Sequence, residues 1–302
     1  MITRLEPIVR RLAGLSAFLL VVSGIGLSQG PAKDPGVRGG PPSAGTSFGG
    51  LSTGLTQLFQ AGAAKFAKTD TVAGDGLGPR MNLNSCAGCH AQPTMGGSSA
   101  KINPQFAFVN GPDHGANRLP SFITQNGPTR EARFKKLNKT TPDGGVHDLF
   151  TIAGMKGAET CKLAQPDFAA ELRKNNVIFR VPTPVFGAGL IEQIQDSTIA
   201  ANVVTQSALA AKSGLGIKGK LNIVVAGNTI TGQSSRIMGE ANANANDGTI
   251  ARFGWKAQNK SLLLFTGEAY NVEMGITNEL FQTEREEACQ LFMTPNDFTD
   301  PA

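Results

Sequence analysis

The stretch Asn84-Ser85-Cys86-Ala87-Gly88-Cys89-His90 contains the pattern C-x-x-C-H, the attachment signature for c-type haem. Two thiols three positions apart on one helical turn can each add to one of the two vinyl groups on neighbouring edges of a porphyrin. The next residue then places its imidazole under the iron as an axial ligand. We therefore expect Cys86 and Cys89 to hold one haem c covalently, and His90 to ligate its iron.

Three other interpretations of this motif have less support in the sequence. A thioredoxin-type dithiol requires a strand before the motif and a long helix after it, whereas glycine-rich segments flank this one at 74–79 and 96–99. A zinc site requires four ligands in paired spacing, and Cys161 and Cys289, the remaining cysteines, are far away in the chain. A disulfide across two intervening residues would be strained.

The N-terminal residues have the pattern of a secretory signal. Three arginines lie within the first eleven residues, an uncharged apolar run follows over 12–27, and small residues at 26 and 28 suit a signal peptidase. The run is short for a membrane span, so an uncleaved anchor is the weaker alternative. We expect a cleaved signal peptide over 1–28, a Gly/Pro-rich linker over 29–50 and a folded part over 51–302. This organisation predicts a periplasmic or secreted bacterial protein with no stable membrane span after cleavage.

The composition excludes nucleic acid as a main partner. The 302 residues are 40% hydrophobic, which is enough for a sizeable core. The formal net charge is +5, and loss of residues 1–28 removes three arginines and one glutamate, leaving 25 minus 22, or +3. A charge this small does not follow a phosphate backbone, and one Trp with one Tyr gives little surface for base stacking.

The rest of the pattern predicts a mainly α, cytochrome c-like fold with long irregular loops and minor β pieces. Leu55, Leu58, Phe59 and Phe66 fall at helical spacing and predict a helix over 54–68, with Thr53 available as its cap. Further helices are expected at 166–174 and 279–292, short strands at 177–181, 221–226 and 262–265, and long loops with short helical pieces over 102–145.

Several blocks beyond the motif form a larger pattern. They are GLGP at 76–79, GPTREARF at 127–134, GGVHDLF at 144–150, RVPTPVFGAGLIE at 180–192, RFGWKAQ at 252–258 and GIT at 275–277. With the motif, they resemble the di-haem oxidoreductase (putative peroxidase) family, some of whose members are labelled thiol oxidoreductases. That family is distantly similar to the bacterial di-haem cytochrome c peroxidases. The resemblance spans about 51–295 and implies an exported haem protein that exchanges electrons with a small redox protein.

The number of haems bears on the activity that this resemblance implies. Members of the family carry a second C-x-x-C-H in a C-terminal cytochrome domain, whereas these 302 residues contain one such motif. A di-haem peroxidase divides electron uptake and peroxide reduction between its two haems. We therefore expect one haem here, with electron transfer as the minimum activity and peroxidase-type chemistry as the version the family implies. The alternatives are a mono-haem electron carrier without peroxidase activity, and a truncated non-catalytic fragment that lacks the second haem domain.

The sequence leaves the sixth iron ligand open. His114 or His147 would complete a bis-histidine site, Met155 is the candidate for a His/Met site, and an open position would suit peroxide. Cys161 and Cys289 are the other cysteines of an exported chain, and they are candidates for one disulfide.

Three further residues have both a structural and a functional interpretation. Trp255, the one indole, is either a core aromatic or an electron relay at the haem edge. Glu268 and Tyr270 are either ordinary hydrogen-bonding residues or an acid and a phenol for peroxide cleavage. We favour the structural interpretation for all three.

Overall fold

The computed structural model describes residues 43–78, 80–112, 118–141, 150–214, 216, 219–223, 250–255, 257, 259–278 and 281. In chain order its elements are α1 (Thr53–Ala67), α2 (Val72–Asp75), α3 (Cys86–Cys89), α4 (Pro104–Val109), β1 (Glu131–Phe134), α5 (Phe168–Arg173), β2 (Val177–Arg180), α6 (Ala188–Glu192), α7 (Asp196–Lys212) and α8 (Leu262–Met274). Helices are thus combined with one two-stranded sheet, and long irregular segments join them. None of the helices in this part of the chain combines the length and the hydropathy that a membrane crossing requires.

Helix α1 confirms the helix predicted over 54–68. Its cap is Ser52 rather than Thr53, because Ser52 has the extended backbone of a cap and its Oγ accepts from the Leu55 N–H at 3.3 Å. Leu55 and Leu58 are exposed, so the apolar stripe that predicted the helix is not buried among the described residues.

Strands β1 and β2 form an antiparallel ribbon with two different faces. Glu131 lies opposite Arg180, and Phe134 lies opposite Val177. The face of Phe134 and Phe179 packs on aromatic rings: Phe122 to Phe179 is 5.1 Å between centroids, Phe122 to Phe168 is 5.2 Å and Phe134 to Phe168 is 6.0 Å. Because side chains alternate along a strand, the opposite face presents Glu131, Arg133 and Arg180. Strand β2 confirms the strand predicted at 177–181, whereas β1 replaces part of the loop predicted over 102–145.

The hydrophobic core is assembled from irregular segments more than from helices. Leu77, Met81, Ile152 and Ile276 are among its most deeply buried residues. The Ile152 N–H donates to the Met81 carbonyl at 2.8 Å in an isolated antiparallel bridge, which joins two of these segments. Cys86 packs against this cluster, so the core extends to the start of the motif.

The strand predicted at 262–265 is wrong, because these residues begin α8. The Ser261 Oγ accepts from the Leu264 N–H at 3.2 Å, and Gly275 ends the helix in the left-handed conformation at φ 66°. A short apolar run does not distinguish strand from helix, and the capping residues decided the outcome. A Cβ at Gly275 would lie 2.6 Å from the Arg80 carbonyl oxygen, so glycine allows the chain before the motif to pass close to this helix end.

The remaining expectations have mixed outcomes. Helix α5 confirms the helix predicted at 166–174, with the Asp167 side chain accepting from the Ala170 N–H at 2.8 Å. Helix α7 was not predicted, and none of its residues is buried. Of the strand predicted at 221–226, the structure describes 221–223, where Ile223 forms an isolated bridge with Ile250. The signal peptide over 1–28, most of the linker over 29–50 and the helix over 279–292 lie outside the described residues.

Candidate haem site

The C-x-x-C-H motif folds as one helical turn. Helix α3 runs from Cys86 to Cys89, and the His90 N–H closes the turn by donating to the Cys86 carbonyl at 3.0 Å. Both thiols are free and half-buried. A loop over 91–98 follows, instead of the long helix that a thioredoxin-type dithiol would require. The three side chains of the motif therefore leave a single turn, as the spacing predicts.

The imidazole of His90 is held in one orientation. Its Nδ1 lies 3.0 Å from the Gly97 carbonyl oxygen. Because a carbonyl oxygen only accepts hydrogen bonds, this contact places the proton on Nδ1 and leaves the lone pair on Nε2. The ring also packs edge-on against Phe66, with 5.9 Å between centroids. Iron-ligating and other metal-ligating histidines are commonly oriented in this way, so His90 is prepared to bind a metal through Nε2.

The loop after the motif supplies the acceptor for His90. The Ala91 N–H donates to the Ser98 carbonyl at 2.7 Å, the Gly96 N–H donates to the His90 carbonyl at 2.9 Å, and the Ser98 hydroxyl donates to the Pro182 carbonyl at 2.8 Å. A Cβ at Gly97 would lie 1.8 Å from the Gln92 carbonyl oxygen. Only glycine therefore fits at the residue whose carbonyl orients the imidazole.

Replacing Gly97 by alanine is expected to weaken the bond between His90 and iron. The added methyl would displace the loop and its carbonyl, and loss of such a contact typically reduces metal affinity by about 10- to 100-fold. Protons compete with iron for the Nε2 of His90. A tenfold loss of iron affinity therefore raises the pH at which acid releases the histidine by about one unit. An acid titration of the absorption spectrum of the haem-loaded protein measures this value.

Gly62→Ala is the matched control for that titration. Gly62 lies within α1, and nothing lies within 4 Å of an added Cβ. The same change at this position should leave the acid midpoint unchanged. Equal midpoints in Gly97→Ala and the wild type would contradict the role of the Gly97 carbonyl.

The two thiols have an environment unlike that of a redox dithiol. Burial raises the pKa of Cys86 to about 11, and the carboxylates of Asp70 and Glu273 raise it further. Burial and Glu273 also raise the pKa of Cys89 to about 12, against a smaller lowering by the Thr129 hydroxyl. Catalytic dithiols and zinc thiolates depend on a lowered thiol pKa, so this environment favours neither of those two roles.

The structure separates the candidates for the remaining ligands. Met155 is buried in the core cluster against which Cys86 packs, and its role as sixth ligand stays a prediction. Helix α8 brings Met274 beside the motif, with its Sδ 3.8 Å from the Cys86 Sγ. No local signal in the sequence distinguishes Met274 from the other methionines, because its position depends on the packing of α8. His114 and His147 lie outside the described residues.

The other cysteines and the three ambiguous residues are placed as follows. Cys161 is buried and disulfide-bonded, while Cys289 lies outside the described residues and the pairing of the two stays a prediction. Trp255 is 53% exposed, so the expectation of a core aromatic is wrong. It follows Gly254 in a turn, and the Arg180 guanidinium lies 5.4 Å from the centroid of its ring. Glu268 is buried and accepts a hydrogen bond from the Asn259 amide. The Lys65 ammonium lies 5.6 Å from the centroid of the Tyr270 ring.

A row of buried polar atoms begins beside Cys89. Thr129 Oγ1, Glu131 Oε1, and Arg133 Nε and Nη2 are buried without a hydrogen bond of ordinary geometry. Thr129, Glu131 and Arg133 are two positions apart in turn, so their side chains lie on the same side of the chain where it is extended. Arg133 Nε lies 3.6 Å from Glu131 Oε1, which is too long for a hydrogen bond. Buried polar atoms normally have partners, so this row indicates a polar group that the described residues do not provide.

These observations are those of a site that fits a haem. Two free thiols can form the thioethers, the Nε2 of His90 can bind the iron, and the row beside Cys89 can contact a polar edge of the group. Comparison with known proteins gives a match to the family model described as "Di-haem oxidoreductase, putative peroxidase" over residues 132–297. Neither the curated proteins nor the solved structures gave a match. The family match begins in β1, after the motif, and covers more than half of the chain. The chain therefore belongs to the di-haem oxidoreductase (putative peroxidase) family.

Proposed function

We propose that this protein is an exported c-type haem protein whose minimum activity is electron transfer. Cys86 and Cys89 bind one porphyrin through thioethers, and His90 binds its iron. The observation that carries the proposal is the single turn α3, which presents two free thiols next to an imidazole oriented by the Gly97 carbonyl. Membership of a di-haem family supports haem as the cofactor.

The residues of the chain hold the group and control its surroundings. When bound, a haem supplies an iron that takes up and releases one electron. Helix α3 fixes the porphyrin, and Gly97 fixes the ring of His90. The core cluster packs against Cys86 and excludes water from that side, and the degree of this exclusion is one of the features that set a reduction potential. Met155 is our candidate for the sixth ligand.

Localisation and partners form part of the same proposal. Thioether attachment takes place outside the cytoplasm, which agrees with the signal-like residues 1–28. We propose a periplasmic or secreted protein with a cytochrome c-like domain within 51–302, and a small redox protein as its electron donor or acceptor.

Expression in a bacterial host that matures c-type cytochromes tests the proposal. The full chain, with its own first 28 residues, is expected to yield a red protein whose haem stays on the polypeptide after denaturation. The intact mass should equal that of the chain from about residue 29 plus one haem. A colourless protein with the mass of the polypeptide alone, from a host that loads a control cytochrome, would overturn the proposal.

The family name favours peroxidase-type chemistry as the further activity. This activity requires an iron position that peroxide can reach, and rapid mixing of the ferric protein with peroxide or cyanide tests for it. A high-spin spectrum and a fast spectral change would support the enzyme. A low-spin spectrum that neither reagent alters would make the protein a mono-haem electron carrier, and aggregation of the loaded protein would support a fragment.

A further inference from the structure

The charged face of the β1–β2 ribbon is the feature that the proposed function leaves unused. Glu131 and Arg133 lie two positions apart on β1, and Arg180 lies opposite Glu131 on β2. Side chains at these positions share one face of an antiparallel pair. Arg133 is 2% exposed and Arg180 is 6% exposed, so two guanidinium groups are buried on this face.

Arg133 needs an anion that the described residues do not supply. Its Nε and Nη2 are buried without hydrogen bonds to this part of the chain, and a guanidinium keeps its charge in any protein environment. The Glu131 carboxyl is close, with its Oε1 3.6 Å from Arg133 Nε. Burial and the Glu273 carboxylate raise the pKa of Glu131 to about 8, although Arg133 and Arg180 act to lower it. Burial therefore favours the neutral form of Glu131, which would not balance the charge of Arg133. A buried guanidinium whose donors lack hydrogen bonds is strongly unfavourable, so this geometry indicates an anionic ligand.

The position of Arg133 relative to the motif indicates which anion this is. The Thr129 hydroxyl lies next to the Cys89 thiol, which is the point at which a porphyrin would be attached. The chain from Thr129 to Arg133 reaches at most about 13 Å at the rise of an extended strand. This reach is comparable with the distance across a porphyrin from its vinyl edge to its carboxylate edge. A group attached at Cys89 and lying along β1 would therefore bring its carboxylates to Arg133.

We infer that Arg133, with Arg180 beside it on the same face, binds the propionate carboxylates of the haem. This inference rests on the proposed function, because it requires a porphyrin at Cys86 and Cys89. A guanidinium can donate two parallel hydrogen bonds to one carboxylate, and such a pair would give Arg133 Nε and Nη2 the partners that they lack. Glu131 in its neutral form can donate a further hydrogen bond to the same carboxylate.

The test uses the haem-loaded protein with ¹³C in the propionate carboxyl groups, introduced by feeding labelled 5-aminolaevulinate. The label distinguishes these carboxyl bands from those of Glu131, Glu268 and Glu273 in infrared difference spectra of the oxidised and reduced protein. In Arg133→Gln the labelled carboxylate band is expected to shift, because its partner is lost. The ratio of reduced to oxidised haem at a fixed potential should fall by about tenfold, since removal of a nearby buried positive charge disfavours the added electron.

Arg130→Gln is the matched control. Arg130 precedes the same strand and carries the same charge, but it lies on the opposite face, with its guanidinium 5.8 Å from the Phe179 ring centroid. Its loss should leave the labelled band unchanged and move the ratio far less. Arg133→Lys should restore most of the ratio but not the band, because an ammonium does not form the two parallel bonds. This variant also keeps the test open if Arg133→Gln does not fold.

Three outcomes decide the inference. A labelled band and a reduced-to-oxidised ratio that are the same in Arg133→Gln and Arg130→Gln would overturn it. An unchanged band with slower binding of peroxide would also overturn it, and would place Arg133 on the reaction side of the iron. A wild-type protein without covalent haem would instead overturn the proposed function, and haem content and intact mass show this before any variant is compared.

Discussion

The double variant Cys86→Ser with Cys89→Ser is expected to lose all covalently bound haem. A hydroxyl does not add to a vinyl group as a thiol does, so neither thioether can form. After maturation in the same host, the denatured polypeptide should carry no haem, and its intact mass should be that of the cleaved chain alone. Haem staining of a denaturing gel and mass spectrometry measure the two quantities.

The single variants make this prediction sharper. Cys86→Ser and Cys89→Ser should each retain one thioether, and the absorption maximum of the haem in alkaline pyridine should shift because one vinyl group remains unreacted. Ala87→Ser is the control, since it adds a hydroxyl within the same turn without removing a thiol. A double variant that still carries haem after denaturation would show that the motif is not the attachment point.

The part of this site that the sequence predicts is the part that depends on local geometry. Cys86, Cys89 and His90 lie within one turn, whose closing hydrogen bond joins residues four apart. Helix α1 and strand β2 are predictable for a similar reason. The helical spacing of apolar residues in α1 and the β-rich run Val177–Arg180 in β2 can each be recognised from a short stretch of sequence.

The features that were missed depend on contacts between distant residues. Strand β1 contains Glu131 and Arg133 and has no β-rich composition; it forms because Val177–Arg180 pairs with it from more than forty positions away. The sequence predicts a loop after the motif, but not that the Gly97 carbonyl accepts a hydrogen bond from His90 and orients its ring. The apolar run at the start of α8 predicts a strand, whereas the helix depends on its capping residues Ser261 and Gly275. Its last turn also accepts hydrogen bonds from the backbone of Gly78 and Asn82, which are far away in the sequence.

The apparent exceptions in the structure agree with its proposed role. Buried polar atoms usually find partners within the chain, but atoms of Thr129, Glu131 and Arg133 have none among the residues that the structure describes, and Thr129 lies beside Cys89. Local rules of folding commonly fail where a protein is built around something other than itself.

Cys161→Ala is expected to cause a large loss of stability. Cys161 is buried and disulfide-bonded, and with Cys289 as its predicted partner the bond closes a loop of about 128 residues (289 minus 161). In the chain-entropy model a loop of this size contributes about 4–5 kcal/mol to the free energy of unfolding. Denaturant unfolding of the haem-loaded protein, followed by circular dichroism, measures the change.

Comparison of the single and double variants tests the pairing itself. If Cys161 and Cys289 form one bond, either single alanine variant already breaks it, and the double variant should lose little more stability than each single one. Two independent contributions that add would contradict the pairing. A thiol titration of the denatured, unreduced holoprotein gives a second measurement. It should find no free thiol, because two sulfurs are in thioethers and two are in the disulfide, whereas two free thiols with haem still attached would show that Cys161 and Cys289 are separate.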